Sequence, residues 1–129
     1  MILKIDLPIE SRNKFEGRGW WKKNAYTKCW QQHLWAICNG KPPQATGPMG
    51  VKIKSFRERL LDEDNLSGGC KGILDAMKRL GMIVNDDPKH VKVTYSQERV
   101  KFVLRDKVKK YPCVKPHTII EIYEIGKWR

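Results

Sequence analysis

The chain has 129 residues, of which 40% are hydrophobic and 31% charged, and its 26 Lys and Arg residues against 14 Asp and Glu residues give a net charge of +12. A chain of this length buries about two-thirds of its unfolded surface, which suits one domain over residues 1–129. Collagen, a coiled coil and a disordered tail are excluded, and no apolar run approaches the roughly 20 residues that a membrane helix needs.

The cysteines and the first residues indicate the cellular compartment. Lys4 and Asp6 interrupt the apolar start, which is therefore not expected to be a signal peptide. The irregular spacing of the four cysteines is unlike a secreted disulfide framework and suits a reducing cytosol. We therefore expect a cytoplasmic protein with no membrane partner.

The N-terminal half predicts a strand, a loop, a helix and a second loop. Residues 2–8 alternate between apolar and polar and predict a strand that a proline ends. The basic, glycine-containing segment 9–24 predicts a loop. Apolar residues at helical spacing predict a helix from about Ala25 to Asn39, stopped by a glycine, and Pro and Gly predict a loop over 41–50.

The C-terminal half predicts mostly strands. Residues 51–56 predict a half-buried strand with a basic outer side, and an apolar stripe predicts a helix from about Gly69 to Leu80, capped by Gly81. Further strands are predicted over 90–96, 99–104 and 118–125, with a basic connector over 105–115. The expected fold is α/β (α+β): a single domain with a mixed β-sheet flanked by helices.

The acidic residues are concentrated in one segment of this basic chain. Residues 62–87 hold six acidic and three basic residues, whereas the other 103 residues hold 23 basic and eight acidic ones. A basic surface attracts polyanions, and carboxylates alone would repel phosphates. A metal-dependent nuclease needs both basic and acidic residues, because the basic residues hold the nucleic-acid backbone and the acidic residues hold a cation.

Asp62 and Asp64 are the first candidate site residues. Two residues apart in extended backbone, they would project from one face of a strand end, where a hard cation such as Mg²⁺ would offset their repulsion. Asp86 or Asp87 supplies a third acid, and Lys71, in the first turn of the predicted helix, can face the same site. The alternative is structural: an N-cap and turn pair.

These residues resemble the RusA family of Holliday junction resolvases. The family pattern is D-x-D-N-L, then a Lys four residues before D-A-L, then a Gly and an acidic turn. Here the pattern reads Asp62-Glu-Asp-Asn-Leu, Lys71, Asp75-Ala-Met, and Gly81-Met-Ile-Val-Asn-Asp-Asp, so the match covers residues 62–87. The gap before Lys71 is longer than in the shortest members, and Asn85 stands where an acid is frequent.

The resemblance implies a function. It implies a homodimeric, Mg²⁺-dependent endodeoxyribonuclease, with Mn²⁺ as a substitute metal and no small-molecule cofactor, that nicks four-way DNA junctions symmetrically in recombination and repair. The catalytic acids and metal ligands carry over to Asp62, Asp64 and Asp86, with Asp87 as a further ligand candidate, and the essential lysine to Lys71. Asp75 is expected to pair with Lys71. Such proteins are nucleoid-associated or carried by prophages.

Basic residues outside the acidic segment are candidates for contacting DNA phosphates. They are Lys52, Lys54, Arg57, Arg59, Arg18, Lys22 and Lys23. Trp20 and Trp21 lie between two of these basic groups, where they would either stack on bases or be buried. Two rival functions stay open: a non-catalytic basic nucleic-acid-binding protein, whose acids only cap turns, and a nuclease for other branched DNA such as flaps or forks.

Overall fold

The computed structural model describes residues 1–11, 19–100, 102–105, 109–112 and 115–126. In chain order the elements are β1 (Ile2–Ile5), α1 (Trp20–Ile37), β2 (Met49–Arg57), α2 (Glu63–Arg79), β3 (Val91–Arg99), β4 (Phe102–Arg105), β5 (Lys109–Pro112) and β6 (His117–Glu124). Within these described residues, no helix is both long enough and apolar enough to cross a membrane.

The main sheet is mixed, and this confirms the predicted α+β fold class. Its strand order is β1-β6-β2-β3, with β6 antiparallel to both of its neighbours and β2 parallel to β3. The helix α2 connects the two parallel strands, as such a crossover requires. The strands β4 and β5 form a separate antiparallel pair, so the segment predicted as a basic connector over 105–115 contains a strand.

Both helices cover one face of the sheet. On β2, Val51 and Ile53 are buried whereas Lys52 and Lys54 are exposed, which is the alternation of a strand with one covered face. The covered face packs against the apolar stripe of α2 and against Trp30 and Leu34 of α1. We call the opposite face, which carries Lys52 and Lys54, the outer face.

The helix α1 begins at Trp20, five residues before the predicted start. Residues 20–24 were predicted as loop because they are polar and basic, yet Lys is a good helix former and prolongs the helix where solvent faces it. Gly19, at φ 91°, precedes the first turn. Gly40, at φ 73°, follows the end of the helix, as expected for a residue that tolerates positive φ.

The helix α2 begins at Glu63, six residues before the start predicted near Gly69, so the predicted boundary is wrong. Asp62 has extended backbone angles and its side chain accepts a hydrogen bond from the Asn65 amide, so it caps the helix. Gly69 predicted a boundary, but it lies inside the helix where a Cβ would collide with the Glu10 carbonyl oxygen. Tertiary contact therefore explains this mid-helix glycine.

Candidate functional site

Asp62 and Asp64 lie at the start of α2 and not at a strand end. The Asp62 Oδ1 accepts from the Asn65 amide at 2.9 Å, which is the N-cap role that the structural alternative assigned to it. Asp64 lies in the first helical turn, where a carboxylate is stabilised by the helix dipole. The extended pair of carboxylates predicted from their spacing is therefore wrong, since one residue caps the helix that the other has already entered.

A cavity between α1 and α2 collects several of the predicted residues. Its volume is about 360 Å³, and we call it the helix cavity. The polar side chains that line it are Lys23, Tyr26, Thr27, Asp64, Ser67, Lys71 and Asp75. The four of these residues that belong to α2 share one side of it, because positions 64, 67, 71 and 75 are three or four residues apart. The helix cavity thus has both basic and acidic walls.

Lys71 connects the helix cavity with the turn that follows α2. Its ammonium lies 3.4 Å from the Asp75 carboxylate and donates a hydrogen bond to the Asp86 carboxylate. Lys71 lies in the third turn of α2 and not in the first, because the helix begins earlier than predicted. The side chain of Asp86 is 22% exposed and that of Lys71 is 58% exposed, so the pair remains open to a ligand.

Asp86 and Asp87 have different roles in this structure. Asp87 holds its own turn. Its carboxylate accepts from the backbone amides of Lys89 and His90 at 3.0 and 3.1 Å, from the His90 ring at 2.6 Å and from the Asn85 side-chain Nδ2 at 2.9 Å. The hydrogen bond to His90 is the main reason why the pKa of Asp87 is lowered. Asp86 is the residue that faces Lys71.

The three acids of the predicted metal site do not come together. Among the residues that the structure describes, no three His, Cys, Asp or Glu side chains lie close enough to hold one metal ion. The carboxylate oxygens of Asp62, Asp64 and Asp86 are the type of ligand that Mg²⁺ prefers, so the residue types fit the ion. The arrangement does not, because Asp62 serves as a helix cap and a lysine neutralises Asp86.

The predicted DNA contacts divide between the two faces of the sheet. Lys22 and Lys23 belong to α1, and of these Lys23 lines the helix cavity. Lys52 and Lys54 lie on the outer face, away from that cavity. Arg18 falls outside the described residues, and Trp21 is 74% exposed.

Arg57 and Arg59 differ in how available they are. The Arg57 guanidinium donates to the carbonyls of Ile9 and Arg59 and is partly buried, and desolvation lowers its pKa. Arg57 therefore connects the end of β2 to the segment after β1. Arg59 is exposed, and its side chain remains a candidate phosphate contact.

Tyr26 is a cavity residue that the sequence predicted only as part of the helix from about Ala25 to Asn39. Its hydroxyl donates to the Gly69 carbonyl at 2.9 Å and accepts from the Glu10 amide at 3.2 Å. Burial raises its pKa. The ring lies against Gly72, where a Cβ would collide with it. A glycine in the middle of a predicted helix was therefore the sequence feature that could have indicated close packing of another residue against α2.

Comparison with known proteins gives no match, either to a protein-family model or to a curated sequence. The resemblance to the RusA family therefore stays a prediction that depends on residues 62–87. The geometry adds that Asp64, Lys71 and Asp75 share one cavity and that Lys71 extends it to Asp86.

Proposed function

We propose that this protein is a structure-specific endodeoxyribonuclease that nicks four-way DNA junctions in recombination and repair, acting as a homodimer. The observation that carries the proposal is the position of Lys71 between Asp75 and Asp86, beside a cavity that Asp64 also lines. In a chain of net charge +12, phosphate binding alone does not explain this local group of acids, because carboxylates repel phosphates.

The residues of this chain supply binding and charge stabilisation. The basic surface attracts the DNA backbone, and Lys23 at the cavity wall is placed to contact a phosphate. When a phosphate approaches, the Lys71 ammonium can exchange its carboxylate partners for the scissile group and stabilise the charge that develops there. Asp62, Asp64 and Asp86 would hold Mg²⁺ only after Asp62 left its cap hydrogen bond and Asp86 left Lys71, and the metal would then supply an activated water.

Homodimerisation follows from the proposed substrate. A four-way junction has two equivalent strands to cut, and two equivalent sites in one assembly make two symmetric nicks. The soluble compartment that contains DNA, the cytoplasm with its nucleoid, is the proposed location, and a prophage is the proposed genetic context.

Substitution of Asp64 by Asn tests the site. We expect Asp64→Asn to abolish cleavage of a synthetic four-way junction in Mg²⁺ and to leave junction binding unchanged or tighter, because one negative charge is removed. Glu63→Gln is the matched control, since it makes the same charge change one residue earlier, in the same exposed helical turn. Cleavage by Asp64→Asn at close to the wild-type rate would show that the site assignment is wrong.

A second candidate function is a non-catalytic basic nucleic-acid-binding protein. Two observations favour it: Asp62 caps α2, and the described residues contain no group of three metal-binding side chains. Asp62→Asn separates the two functions, because Asn caps a helix as well as Asp does but removes a charged ligand. Unchanged stability with lost Mn²⁺ affinity supports the nuclease. Wild-type protein that neither binds Mn²⁺ nor cuts DNA supports the binding protein.

Comparing the cleavage of DNA substrates of different shapes would identify the preferred substrate of the proposed nuclease. Four-way, forked, flapped and linear duplexes of the same sequence are incubated with the wild-type protein in Mg²⁺. Preferential cutting of the four-way junction supports the proposal, and preferential cutting of flaps or forks identifies the other branched-DNA nuclease.

A further inference from the structure

The outer edge of β3 is the least protected edge of the sheet. β3 pairs with β2 through nine consecutive residues, from Val91 to Arg99, without a bulge or a proline. Among the described residues, no strand pairs with its other edge. Natural proteins usually protect a long, regular edge strand, because its unpaired amides and carbonyls can bind another strand.

An apolar groove runs beside this edge. Its volume is about 570 Å³, and its apolar lining includes Leu74, Val91, Val93, Tyr95 and Ile125. Tyr95 is 40% exposed and Ile125 is 49% exposed. The covered face of the sheet is therefore incompletely covered where it reaches β3, and a strand added at this edge would bury apolar surface as well as backbone groups.

The residues of β3 are complementary to themselves. If two copies of the strand run antiparallel with Tyr95 opposite Tyr95, Lys92 of each copy lies opposite the partner's Glu98, and Thr94 lies opposite the partner's Ser96. Residues opposite each other in an antiparallel pair share a face, so two pairs of opposite charge form on the outer face, where each half-exposed Glu98 also lies 3.5 Å from Lys54 of its own protomer. In a chain of net charge +12, such pairs offset repulsion between copies.

We infer that the outer edge of β3 is a homodimer interface, in which two copies of this chain pair β3 antiparallel about a two-fold axis at Tyr95. The partner at this edge is a second copy of the chain, because the charges of β3 are complementary to those of the same strand running antiparallel to it. The sheet then continues from one protomer into the other, and both helix layers lie on the same side of it.

This interface deepens the proposed function, on which its biological meaning rests. Asp86 lies in the wall of the β3 groove as well as beside Lys71, so the candidate site of each protomer borders the interface. The two-fold axis places both helix cavities on one side of the shared sheet, where a branched DNA of matching symmetry can reach them together.

Charge-swap variants test the interface without DNA. By sedimentation, the wild-type protein is expected at twice the 15.1 kDa of one chain. Lys92→Glu and Glu98→Lys each replace two attractive pairs with two repulsive ones, and each should raise the dimer dissociation constant about tenfold or more. The double variant restores the pairs and should restore the dimer. Lys4→Glu, on the other edge strand, makes the same charge change and should leave the dimer intact.

A cysteine cross-link tests the register. Tyr95→Cys places two thiols opposite each other across the axis and should form a disulfide-linked dimer under a mild oxidant faster than wild type. Lys92→Cys places the thiols several residues apart and should not. A monomeric wild-type protein at micromolar concentration, or a dimer that none of these changes affects, would overturn the inference. Since neither assay uses DNA, its failure is distinguishable from failure of the nuclease proposal.

Discussion

Lysine side chains on the two sides of the sheet have different kinds of partner. On the helix side, Lys71 lies between the carboxylates of Asp75 and Asp86, so charge is concentrated in one cluster. On the outer face, the Lys52 and Lys54 ammonium groups lie 5.5 and 5.2 Å from the centroids of aromatic rings. Concentrated opposite charges suit chemistry on a phosphate, whereas separate lysines beside rings suit contact along a backbone.

Aromatic rings lie beside both of these outer-face lysines. Lys52 lies over the Tyr123 ring and Lys54 over Phe56, and the Phe56 ring stacks on His117 with centroids 4.4 Å apart. Lys54 also lies 3.5 Å from the Glu98 carboxylate, and both of these side chains are about half exposed. The comparison predicts that changes on the helix side alter cleavage and that changes on the outer face alter affinity.

We expect the largest effect from a substitution that disrupts the cluster of Lys71, Asp75 and Asp86. Lys71→Met removes the ammonium that faces Asp86, and the cleavage rate should fall about 10²–10³-fold because a charge-stabilising group is lost. Single-turnover cleavage of a four-way junction measures it. Lys78→Met, an exposed lysine in the last turn of the same helix, is the control and should cut normally. Equal losses in the two variants would contradict a special role for Lys71.

A pair of glycine substitutions compares the packing of the two sides. Gly69→Ala puts a Cβ against the Glu10 carbonyl of the backbone, and we expect a loss of about 1–3 kcal/mol in the free energy of unfolding. Gly50→Ala puts a Cβ against the Tyr123 ring on the outer face, where the side chain can rotate away, so the loss should be smaller. Urea unfolding measures both. The reverse order would mean that the outer face is the tighter one.

The outer face is tested by its salt dependence. Lys52→Gln should weaken DNA binding and reduce the slope of log affinity against log salt by about 1, if the lysine contacts one phosphate. Its cleavage rate at saturating DNA should not change. Lys4→Gln, on the edge strand β1 and separated from β2 by β6, is the matched control for overall charge. An unchanged slope in Lys52→Gln would remove the outer face from the DNA-binding surface.

The smallest expected effect concerns the turn after α2. The pKa of Asp87 is lowered mainly by its hydrogen bond with His90, so Asp87 stabilises the fold fully above the ordinary aspartate pKa of about 4. That contribution is lost as the pH falls through the lower pKa of the folded state. Asp87→Asn should therefore be less stable than wild type at neutral pH, and the difference should shrink in acid. A difference that does not depend on pH would contradict this role.

The sequence by itself determined the type of every described element except β5, and it named the acidic and basic residues of the candidate site. Alternation at residues 51–56 and the apolar stripe of the second helix have local periods, so β2 and the C-terminal half of α2 were predictable. The match over residues 62–87 identified Asp64, Lys71 and Asp75, which share one cavity, and Asp86, which Lys71 contacts. The four-residue spacing of Lys71 and Asp75 predicted their pairing, whereas Asp64 was predicted at a strand end and joins them only because α2 begins earlier.

Only the tertiary structure decided the remaining features. The position of Gly69 inside α2 depends on its close approach to Glu10, and no local pattern reports a contact between segments so far apart in the chain. The local patterns also left two alternatives open that the structure decided: Asp62 caps α2, and Asp87 is held in its own turn by His90 whereas Asp86 faces Lys71. Periodicity determines which face a residue occupies, whereas packing between distant segments determines which partner it meets.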